Sequence, residues 1–298
     1  MTHGGCFWWS GSKGSVTNCT FIGNRAGTNG GAAYWSGANG TVTNCTFIRN
    51  NAATYGGAIY WHTTSLNATV NKSTFINNTA TQRGGAIFWN SINGITNKST
   101  FTGNTATNSG GGGIRWEADN GTVIDSIFTG NTAATYGGAI HWVGHNGFIT
   151  GSNFTNNINV NPSSGGGGAI NWYGNNGTVT DSIFTNNTST VAGGIVWAGI
   201  NGTVTDSIFT NNAATNGGGG IYWQWTADNG ILTNCTFTGN NALNNGGGIN
   251  WAAVNGIITN CTFKDNTATT NGGAVYWSGA NSNMSNCNLP NKKIKNKR

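Results

Sequence analysis

The chain has 298 residues, of which 50 are glycine and only 7% are charged, yet it carries 13 Trp and 13 Phe. So much glycine is typical of disordered linkers, but so many large aromatic side chains indicate an ordered, buried core. The formal net charge is +6, but five of the basic residues fall in the last seven positions, 292–298, so the rest of the chain carries +1 and offers no basic stripe to a nucleic acid.

The first residues, 1–9, read MTHGGCFWW and already carry the pattern that recurs along the chain. We therefore expect the chain to begin inside a repeat, without a cap. An uncapped first coil has unpaired backbone groups, which predicts self-association through that coil. Neither a signal peptide nor an apolar membrane-spanning run is recognisable, so we expect no membrane insertion by this segment.

Two markers then alternate along the chain at fixed spacings. The first is a tryptophan every 25 to 30 residues, at Trp9, Trp35, Trp61, Trp89, Trp116, Trp142, Trp172, Trp197, Trp223, Trp251 and Trp277. The second is F-x-x-N, which begins at Phe21, Phe47, Phe75, Phe101, Phe128, Phe154, Phe184, Phe209, Phe237 and Phe263. Each Phe follows its Trp by 12 residues, except by 14 after Trp61 and Trp223.

Each unit contains short apolar runs, as in GGAIYW, NGTVTNCTF and IRNNAATY, bounded by Gly or Asn. Such runs are typical of β-strands and are too short for helices. The repeat predicts an all-β fold, a single parallel β-helix solenoid of about 11 coils of about 26 residues, with three short strands per coil. It spans residues 1–291 and is followed by a basic tail, 292–298. At ~4.8 Å per coil the rod is roughly 50 Å long.

The alternation of side chains along a strand assigns an inner and an outer face. Ile59 and Trp61 point inward, with Tyr60 between them pointing outward. Asn50 and its equivalents should stack as an amide ladder along the axis. Asn44 falls where the chain must bend, since Asn tolerates the left-handed conformation. The Gly pairs suit corners that need positive φ or close backbone approach.

Five of the six cysteines share one inward position, two residues before the repeat Phe, where other coils carry Ser: Cys19, Cys45, Cys235, Cys261 and Cys287. Exchange with Ser indicates packing of a small side chain. Neighbours in register have parallel Cβ vectors, which suit a disulfide poorly. We expect buried free thiols. Ligand spacings such as C-x-x-C are absent, so we predict no metal site and no cofactor.

The units GGAIYW and NCTFIRN resemble the GGAI and F-x-x-N repeats of chlamydial polymorphic outer-membrane proteins. They are even more similar to the Asn/Thr-rich adhesin-like surface proteins of methanogenic archaea, and the resemblance covers residues 4–291. It implies a right-handed β-helix that is exposed at the cell surface or outside the cell. These families add a secretion signal and an anchor, barrel or further domains, which are not visible here.

The acidic residues bear on catalysis, because the lyases and hydrolases that share the parallel β-helix fold need clustered carboxylates with Lys or Arg. Three of the seven acids occupy the bend position and two precede an N-G turn. Arg115, Glu117 and His141 form the best available cluster, although an exposed ion pair explains it equally well. We therefore predict no catalytic residues and no enzyme.

A column of outward residues, each just before a repeat tryptophan, supplies binding candidates. These are Tyr34, Tyr60, Phe88, Arg115, His141, Tyr222 and Tyr276. Stacked aromatics that only stabilise the sheet are the alternative. Trp225, in the insertion after Trp223, and Tyr173, at nearly the same corner two coils earlier, are the strongest candidates because neither has a visible core role.

These observations predict a non-catalytic adhesin-like surface protein or spacer whose lateral face binds glycans or cell-surface proteins, without nucleic acid. One alternative is a carbohydrate-active β-helix enzyme. Another is an ice-binding β-helix that would use outward T-x-T pairs such as Thr100 and Thr102. Ile127, Asn153, Ile183, Ile208 and Lys264 interrupt that array.

Overall fold

The computed structural model describes residues 3–161 and 166–290. Within them the chain forms four parallel β-sheets, two of 11 strands and two of 10, in which neighbouring strands come from successive coils. The fold is therefore the predicted parallel β-helix of about 11 coils. The predicted basic tail, 292–298, lies outside the described residues. Within the described ranges, no helix has the length and apolarity needed to cross a membrane.

The first two sheets contain the tryptophan strands and the strands after the N-G turn. Sheet A comprises Phe7–Trp9, Ala33–Trp35, Ile59–Trp61, Ile87–Trp89, Ile114–Trp116, Ile140–Trp142, Ile170–Trp172, Ile195–Trp197, Ile221–Trp223, Ile249–Trp251 and Val275–Trp277. Sheet B comprises Ser15–Thr17, Thr41–Thr43, Thr69–Asn71, Ile95–Asn97, Thr122–Ile124, Phe148–Thr150, Thr178–Thr180, Thr203–Thr205, Ile231–Thr233, Ile257–Thr259 and Asn283–Ser285.

The other two sheets contain the phenylalanine strands and a two-residue strand after them. Sheet C comprises Thr20–Ile22, Thr46–Ile48, Thr74–Ile76, Thr100–Thr102, Ile127–Thr129, Asn153–Thr155, Ile183–Thr185, Ile208–Thr210, Thr236–Thr238 and Thr262–Lys264. Sheet D comprises Arg25–Ala26, Asn51–Ala52, Thr79–Ala80, Thr105–Ala106, Thr132–Ala133, Ile158–Asn159, Thr188–Ser189, Ala213–Ala214, Asn241–Ala242 and Thr267–Ala268.

Sheet D corrects the prediction of three strands per coil, because the described coils carry a fourth. Each of its strands has two residues, with one small side chain, usually Ala, pointing inward: Ala106 and Ala133 are buried and pair in register. A single inward alanine produces no alternation of apolar and polar residues, so the pattern alone could not reveal this strand. The rod consequently has four sides.

The interior consists of identical residues stacked on one another. Nine repeat tryptophans, from Trp35 to Trp251, are fully buried. The rings of Trp116 and Trp142 lie 4.7 Å apart and within 3° of parallel, and those of Phe101 and Phe128 are equally close. Such offset stacks add about 0.5–1.5 kcal/mol per pair beyond the burial of area. The predicted inward position of the Trp and Phe columns is confirmed.

The predicted amide ladder is confirmed in atomic detail. Asn131 Nδ2 donates to Asn157 Oδ1 at 3.0 Å and to the carbonyl of Phe101 at 2.9 Å. Asn131 Oδ1 in turn accepts from the backbone N–H and the Nδ2 of Asn104, both at 3.0 Å. The same pattern runs from Asn24 to Asn266. Each buried amide is therefore paired with the next coil, as buried polar groups must be.

Bends and corners also follow the prediction. The bend residues Asn44, Asp125 and Asp206 all have positive φ, between 47° and 51°. In the Gly pair, Gly56 has φ of 64°, and a Cβ on Gly57 would lie 2.0 Å from the carbonyl oxygen of Gly85. The first glycine supplies the left-handed conformation and the second permits close approach of two coils.

All six cysteines lie in the described part of the chain and all are free thiols. Cys45, Cys235 and Cys261 are buried as predicted, and Cys287 is half-buried. Cys19 is exposed although it belongs to the same column, and Cys6, outside that column, is exposed as well. The expectation that folding would bury all of the thiols is therefore wrong for these two.

Candidate binding face

The outward face of sheet A is where the coils differ most. The middle residues of its strands read Trp8, Tyr34, Tyr60, Phe88, Arg115, His141, Asn171, Val196, Tyr222, Asn250 and Tyr276. We refer to them as the outer column. Successive members pair in register, as Phe88 does with Arg115 and Arg115 with His141. The structure thus aligns all of the predicted column candidates along one side of the rod.

The prediction that this column is exposed was wrong for most of it. Tyr34, Tyr60, Phe88, Arg115 and His141 are all buried, whereas Tyr222 and Tyr276 are half-buried. Whether they bind a partner stays a prediction, but the buried members cannot offer their ring faces to a ligand.

Two kinds of contact bury the outer column. The first is stacking within the column: the rings of Tyr34 and Tyr60 are 5.0 Å apart and those of Tyr60 and Phe88 are 5.2 Å apart. The second comes from two tyrosines, each just before a Gly pair, that lie over the sheet. Tyr55 stacks on Phe88 at 4.7 Å, and Tyr136 packs on His141 at 4.7 Å. The aromatic column therefore forms a second small core outside the sheet.

In the middle of this face lies a cluster of charged and polar side chains. Glu117 Oε1 accepts hydrogen bonds from Arg115 Nε at 2.8 Å and from Arg83 Nη1 at 3.1 Å. Arg115 Nη1 lies 3.0 Å from His141 Nε2 and also contacts Nδ1 of the same ring. The predicted grouping of Arg115, Glu117 and His141 is confirmed, but the description as an exposed ion pair is not, since Arg115 and His141 are buried.

Burial and neighbouring charge set the protonation of this cluster. His141 is only 2% exposed, and desolvation, together with Arg115 and Arg83, holds the pKa of its imidazole well below the ordinary value. The ring is thus neutral near pH 7 and accepts from Arg115. Desolvation also lowers the pKa of Arg115, partly offset by Glu117. With His141 neutral, two guanidinium groups face one carboxylate.

Tyr173 forms the edge of the cluster. It is 42% exposed, and its ring lies 5.5 Å from His141 and 6.0 Å from Tyr136. Burial of its inner edge raises the pKa of its hydroxyl. The neighbours of Tyr173 therefore belong to this cluster. Tyr173 was predicted to form a candidate site with Trp225, but Trp225 lies two coils further along the rod.

Trp225 stands out on the corner between sheets A and B and is 73% exposed. The insertion that carries it is an ordered turn, closed by Ala227 N–H donating to the carbonyl of Gln224 at 2.9 Å. Thr226 Oγ1 donates to the carbonyl of Ala198 in the preceding coil at 3.1 Å, and Trp223 Nε1 donates to that of Ala227 at 2.8 Å. The prediction of an exposed loop tryptophan without a core role is confirmed.

The other carboxylates lie at turns and bends of the coils, where Asp181 and Asp206 follow the paired residues Thr180 and Thr205 and are neighbours in successive coils. Asp119 and Asp228 accept the backbone N–H groups of His145 and Val254 in the next coil. Asp125, Asp181 and Asp206 occupy bends with positive φ. In residues 3–161 and 166–290, no three His, Cys, Asp or Glu side chains converge to hold a metal ion.

One column of sheet C bears on the ice-binding alternative. The last residue of the strand is Thr in six successive coils, from Thr102 to Thr238, all in register. The first residue of the same strands changes: Thr100, Ile127, Asn153, Ile183, Ile208 and Thr236. A regular array of T-x-T pairs is therefore interrupted, as predicted.

Sequence reasoning missed the residues that cover the outer column, namely Tyr55, Arg83 and Tyr136. A signal was present, because each directly precedes a Gly pair, in the motifs Y-G-G and R-G-G. A side chain at the entrance to a tight corner has no room inside the coil and must lie over the neighbouring sheet. In the coil between Arg83 and Tyr136, the same position is Gly110. A side chain does not fit there, because a Cβ would lie 2.5 Å from His141 Nδ1.

The fold and this face define a repeat protein of the parallel β-helix class. Residues 2–115 match the family model described as a right handed beta helix region. Three segments, 125–141, 206–222 and 260–276, match the Chlamydia polymorphic membrane protein repeat. Each repeat match runs from a bend residue through sheets C and D to the outer column. The chain is a right-handed parallel β-helix, and three of its segments match a polymorphic-membrane-protein repeat.

No curated protein matches the chain. Among solved structures, a match is found to the crystal structure of PfbA, a surface adhesin of Streptococcus pneumoniae, at 15% identity and a TM-score of 0.49, covering 93% of this chain and 73% of that one.

Proposed function

We infer that this chain is a non-catalytic, adhesin-like repeat protein of the cell surface, which binds glycans along the corner between sheets A and B. The observation that carries this proposal is Trp225, an indole 73% exposed on a turn closed by backbone hydrogen bonds. When a large aromatic side chain is exposed on an ordered turn, less conformational entropy is lost as a ligand binds to it. Its flat apolar face suits the apolar face of a sugar ring.

The composition of the repeats supports a role at the cell surface. The matched repeat is named for a chlamydial membrane protein, and the units also resemble adhesin-like surface proteins of methanogenic archaea. A rod that presents one long lateral face is suited to contact with extended polymers. Proteins on another cell's surface are the alternative partner.

The distribution of carboxylates supports a non-catalytic role. Glycoside hydrolysis usually needs two carboxyl groups about 5–10 Å apart, facing one another across the bond that breaks. The one carboxylate in the charged cluster, Glu117, is committed to two arginines through a single oxygen. Asp119 and Asp228 at the turns accept backbone N–H groups of the next coil. At the bends, Asp181 accepts from Thr180 Oγ1 and Asp206 from Asn234 Nδ2.

A glycan array probed with the full chain and with Trp225→Ala tests the proposal. We expect the wild-type chain to bind a subset of the glycans and the variant to bind them about tenfold or more weakly, as for a central aromatic contact. Trp8→Ala is the matched control, since Trp8 is also exposed but lies at the other end of the rod, and its binding should be unchanged.

Enzymatic cleavage of the bound glycans is the result that would contradict a non-catalytic role. Incubation of the chain with the glycans it binds should release no new reducing ends and no unsaturated sugars. Sustained product release that Glu117→Gln abolishes would replace the proposal with the enzyme alternative. Absence of binding to any glycan, with cell-surface proteins bound instead, would also overturn it.

A further inference from the structure

The corner between sheets B and C carries one exposed bend residue in each coil. From the first coil to the tenth, these residues are Asn18, Asn44, Lys72, Lys98, Asp125, Gly151, Asp181, Asp206, Asn234 and Asn260. We refer to them as the bend column. Its charges are sorted along the rod, because both lysines fall in the third and fourth coils and the three aspartates fall in the fifth, seventh and eighth.

Like charges are neighbours in this column. Lys72 and Lys98 follow residues that pair in register, so they lie in adjacent coils, and the same holds for Asp181 and Asp206. Like charges side by side in a sheet are destabilising. The bend itself does not require a charge, since Asn44 adopts it and donates its amide to the preceding coil. The fold of a single coil therefore does not explain these charges.

The structure leaves the lysines of the bend column without ion-pair partners inside the described part of the chain. There, the ion pairs are those of Glu117 with two arginines on another side of the rod. Asp125 is the neighbour of Lys98 in the fifth coil, but its carboxylate points to the sixth coil, where a Cβ on Gly151 would lie 2.3 Å from Oδ1. Lys72 and Lys98 are thus available to a partner.

In an antiparallel pair of copies, the order of these charges is self-complementary. Where the third coil of one copy faces the eighth coil of the other, the fourth faces the seventh and the fifth faces the sixth. Lys72 then faces Asp206 of the second copy, and Lys98 faces Asp181. Asp125 faces the glycine of the sixth coil, which carries no charge. Two copies thus form four ion pairs, whereas in a parallel pair in register every charge would face its own copy.

We propose that a second copy of this chain binds antiparallel to the first, in that register, through the bend column and the outer face of sheet C. Charge complementarity selects the partner, because the lysines and aspartates match those of an identical chain in order and in spacing. The inference goes beyond the proposed function and is independent of it, since Trp225 lies on the corner between sheets A and B, which does not adjoin sheet C.

Exposed isoleucines supply the apolar part of this interface. Ile127, Ile183 and Ile208 begin the sheet C strands that follow the three aspartates, and their exposed fractions are 46%, 41% and 43%. An isologous contact buries these isoleucines of each copy beside its ion pairs. In the same register they face smaller or polar side chains of the second copy: Asn153, Thr100 and Thr74.

The other charges near this face are compatible with the arrangement. Arg49, on the corner after sheet C in the second coil, lies one coil from Lys264 and Asp265 of the second copy, whose charges cancel. The bend column is therefore the dominant charge pattern of this face. The uncharged strands of sheet B separate it from the ionisable residues of the next corner: Lys13, Asp119, His145 and Asp228.

The face is large enough for a weak dimer. Its ten strands of three residues, at ~4.8 Å between strands and ~3.3 Å per residue, cover roughly 48 by 10 Å, or about 500 Å² per copy. A total of about 1,000 Å² lies at the lower limit for a specific interface. We expect a dissociation constant on the order of 10 µM at low salt. It should rise in 1 M salt, where the Debye length is only about 3 Å.

Sedimentation of the full chain over a concentration series, at low and high salt, tests the dimer. Lys72→Glu with Lys98→Glu makes all charges of the column acidic, and Asp181→Lys with Asp206→Lys makes four of its five charges basic. We expect each double variant alone to associate about tenfold or more weakly than the wild-type chain, because like charges then face each other. An equal mixture of the two variants should restore the dimer.

Two further variants serve as comparisons. Lys13→Glu with Arg25→Glu reverses two exposed charges on other sides of the rod and should leave the dimer unchanged. Asp125→Asn removes the one carboxylate of the column that has no lysine opposite it and should tighten the dimer about twofold.

Cross-linking identifies the register. A carbodiimide joins a lysine amine directly to a carboxylate, so it reports groups in contact. We expect mass spectrometry of the dimer fraction to find an amide between Lys72 and Asp206. Within one chain these residues lie five coils apart, or ~24 Å at ~4.8 Å per coil, which the two side chains cannot span. The link therefore forms only between copies.

Three results would overturn the inference. The first is a wild-type chain that stays monomeric throughout the series at low salt. The second is a dimer that survives Lys72→Glu with Lys98→Glu at an unchanged melting temperature, which would place association elsewhere, as through the first coil. The third is a dimer without the link between Lys72 and Asp206. None of these results alters glycan binding through Trp225, which the array measures separately.

Discussion

The inner and outer positions of sheet A belong to the same strands but follow different rules. The inner position is Trp in every coil from Trp9 to Trp277, whereas the outer position between them changes from aromatic to charged to amide. Inside the coil, each side chain packs on its own copy one coil away, so a change in one coil leaves a gap on both sides. Outside, neighbours pair with unlike residues, as Arg115 does with Phe88 and His141.

The difference teaches where this fold can carry specificity. The stacked interior sets the length and stiffness of the rod but repeats too regularly to recognise anything. The outer face of sheet A is packed almost as tightly from Tyr34 to Phe88, yet in the middle it holds ionised groups beside an exposed tyrosine. Stability therefore belongs to the inner side of each strand, and the outer side is where variation in sequence is tolerated.

The largest expected effect comes from breaking the interior. Trp142→Ala removes a fully buried indole that stacks on Trp116 at 4.7 Å and on Trp172 at 4.6 Å. We expect a loss of about 3–5 kcal/mol in the free energy of unfolding, measured by denaturant titration, because the cavity cannot collapse between two fixed coils. Trp225→Ala removes the same side chain from the surface and should cost within about 0.5 kcal/mol. Equal losses would contradict the division into inner and outer positions.

The amide ladder gives the next largest effect. Asn131→Ala leaves the backbone N–H of Asn104 and one N–H of its side-chain amide without an acceptor, and it removes a donor from the carbonyl of Phe101. Unpaired buried groups are costly, so we expect about 2–3 kcal/mol of destabilisation in the same titration. Asn108→Ala, in an exposed loop, is the control. If both variants unfold at the same denaturant concentration, the hydrogen bonds of the ladder contribute nothing to the free energy of unfolding.

The contribution of the outer face of sheet A to the stability of the chain should depend on pH, whereas that of the interior should not. Because the pKa of His141 is depressed in the folded chain, the unfolded chain binds a proton more readily below about pH 6.5. Stability should therefore be fully present above that pH and fall as pH decreases, by up to about 1.4 kcal/mol per pH unit until the folded pKa is reached.

Replacement of this residue separates its contribution from that of other titrating groups. His141→Asn, which introduces the residue found at the same position of the next coil, Asn171, should flatten the pH dependence of the melting temperature. His145→Asn removes an exposed histidine on the neighbouring corner and should keep the wild-type profile. A slope that persists in His141→Asn would mean that another group titrates.

The smallest expected effect is a difference in reactivity among the thiols, which does not involve a change in the stability of the chain. Denatured chain should yield six free thiols, whereas in the folded chain Cys6 and Cys19 should react first with a thiol reagent. Burial raises the pKa of Cys45 and of Cys235, so these react slowest both from lack of access and from lack of thiolate. Mass spectrometry of labelled peptides measures the order, and fast labelling of Cys235 would show that its coil opens.

The sequence determined the rod because its periods are strict. A tryptophan and an F-x-x-N motif at fixed offsets leave one arrangement in which each packs on its copy, so the coil, the inward columns, the amide ladder and the bends at Asn44 and its equivalents could all be predicted. The exposure of Trp225 could be predicted for the converse reason, since a residue outside the period has no copy to pack on. These are consequences of local spacing.

The tertiary structure alone decided what covers the outer face. Alternation along a strand says which way Tyr60 points, but it cannot say that Tyr55, on the corner before that strand, lies over the same side of the sheet. It likewise cannot say that Arg83 reaches Glu117 in the next coil. Those contacts join residues whose separation is not the repeat period, and they depend on how each corner turns. The burial of His141 follows from how the corners turn.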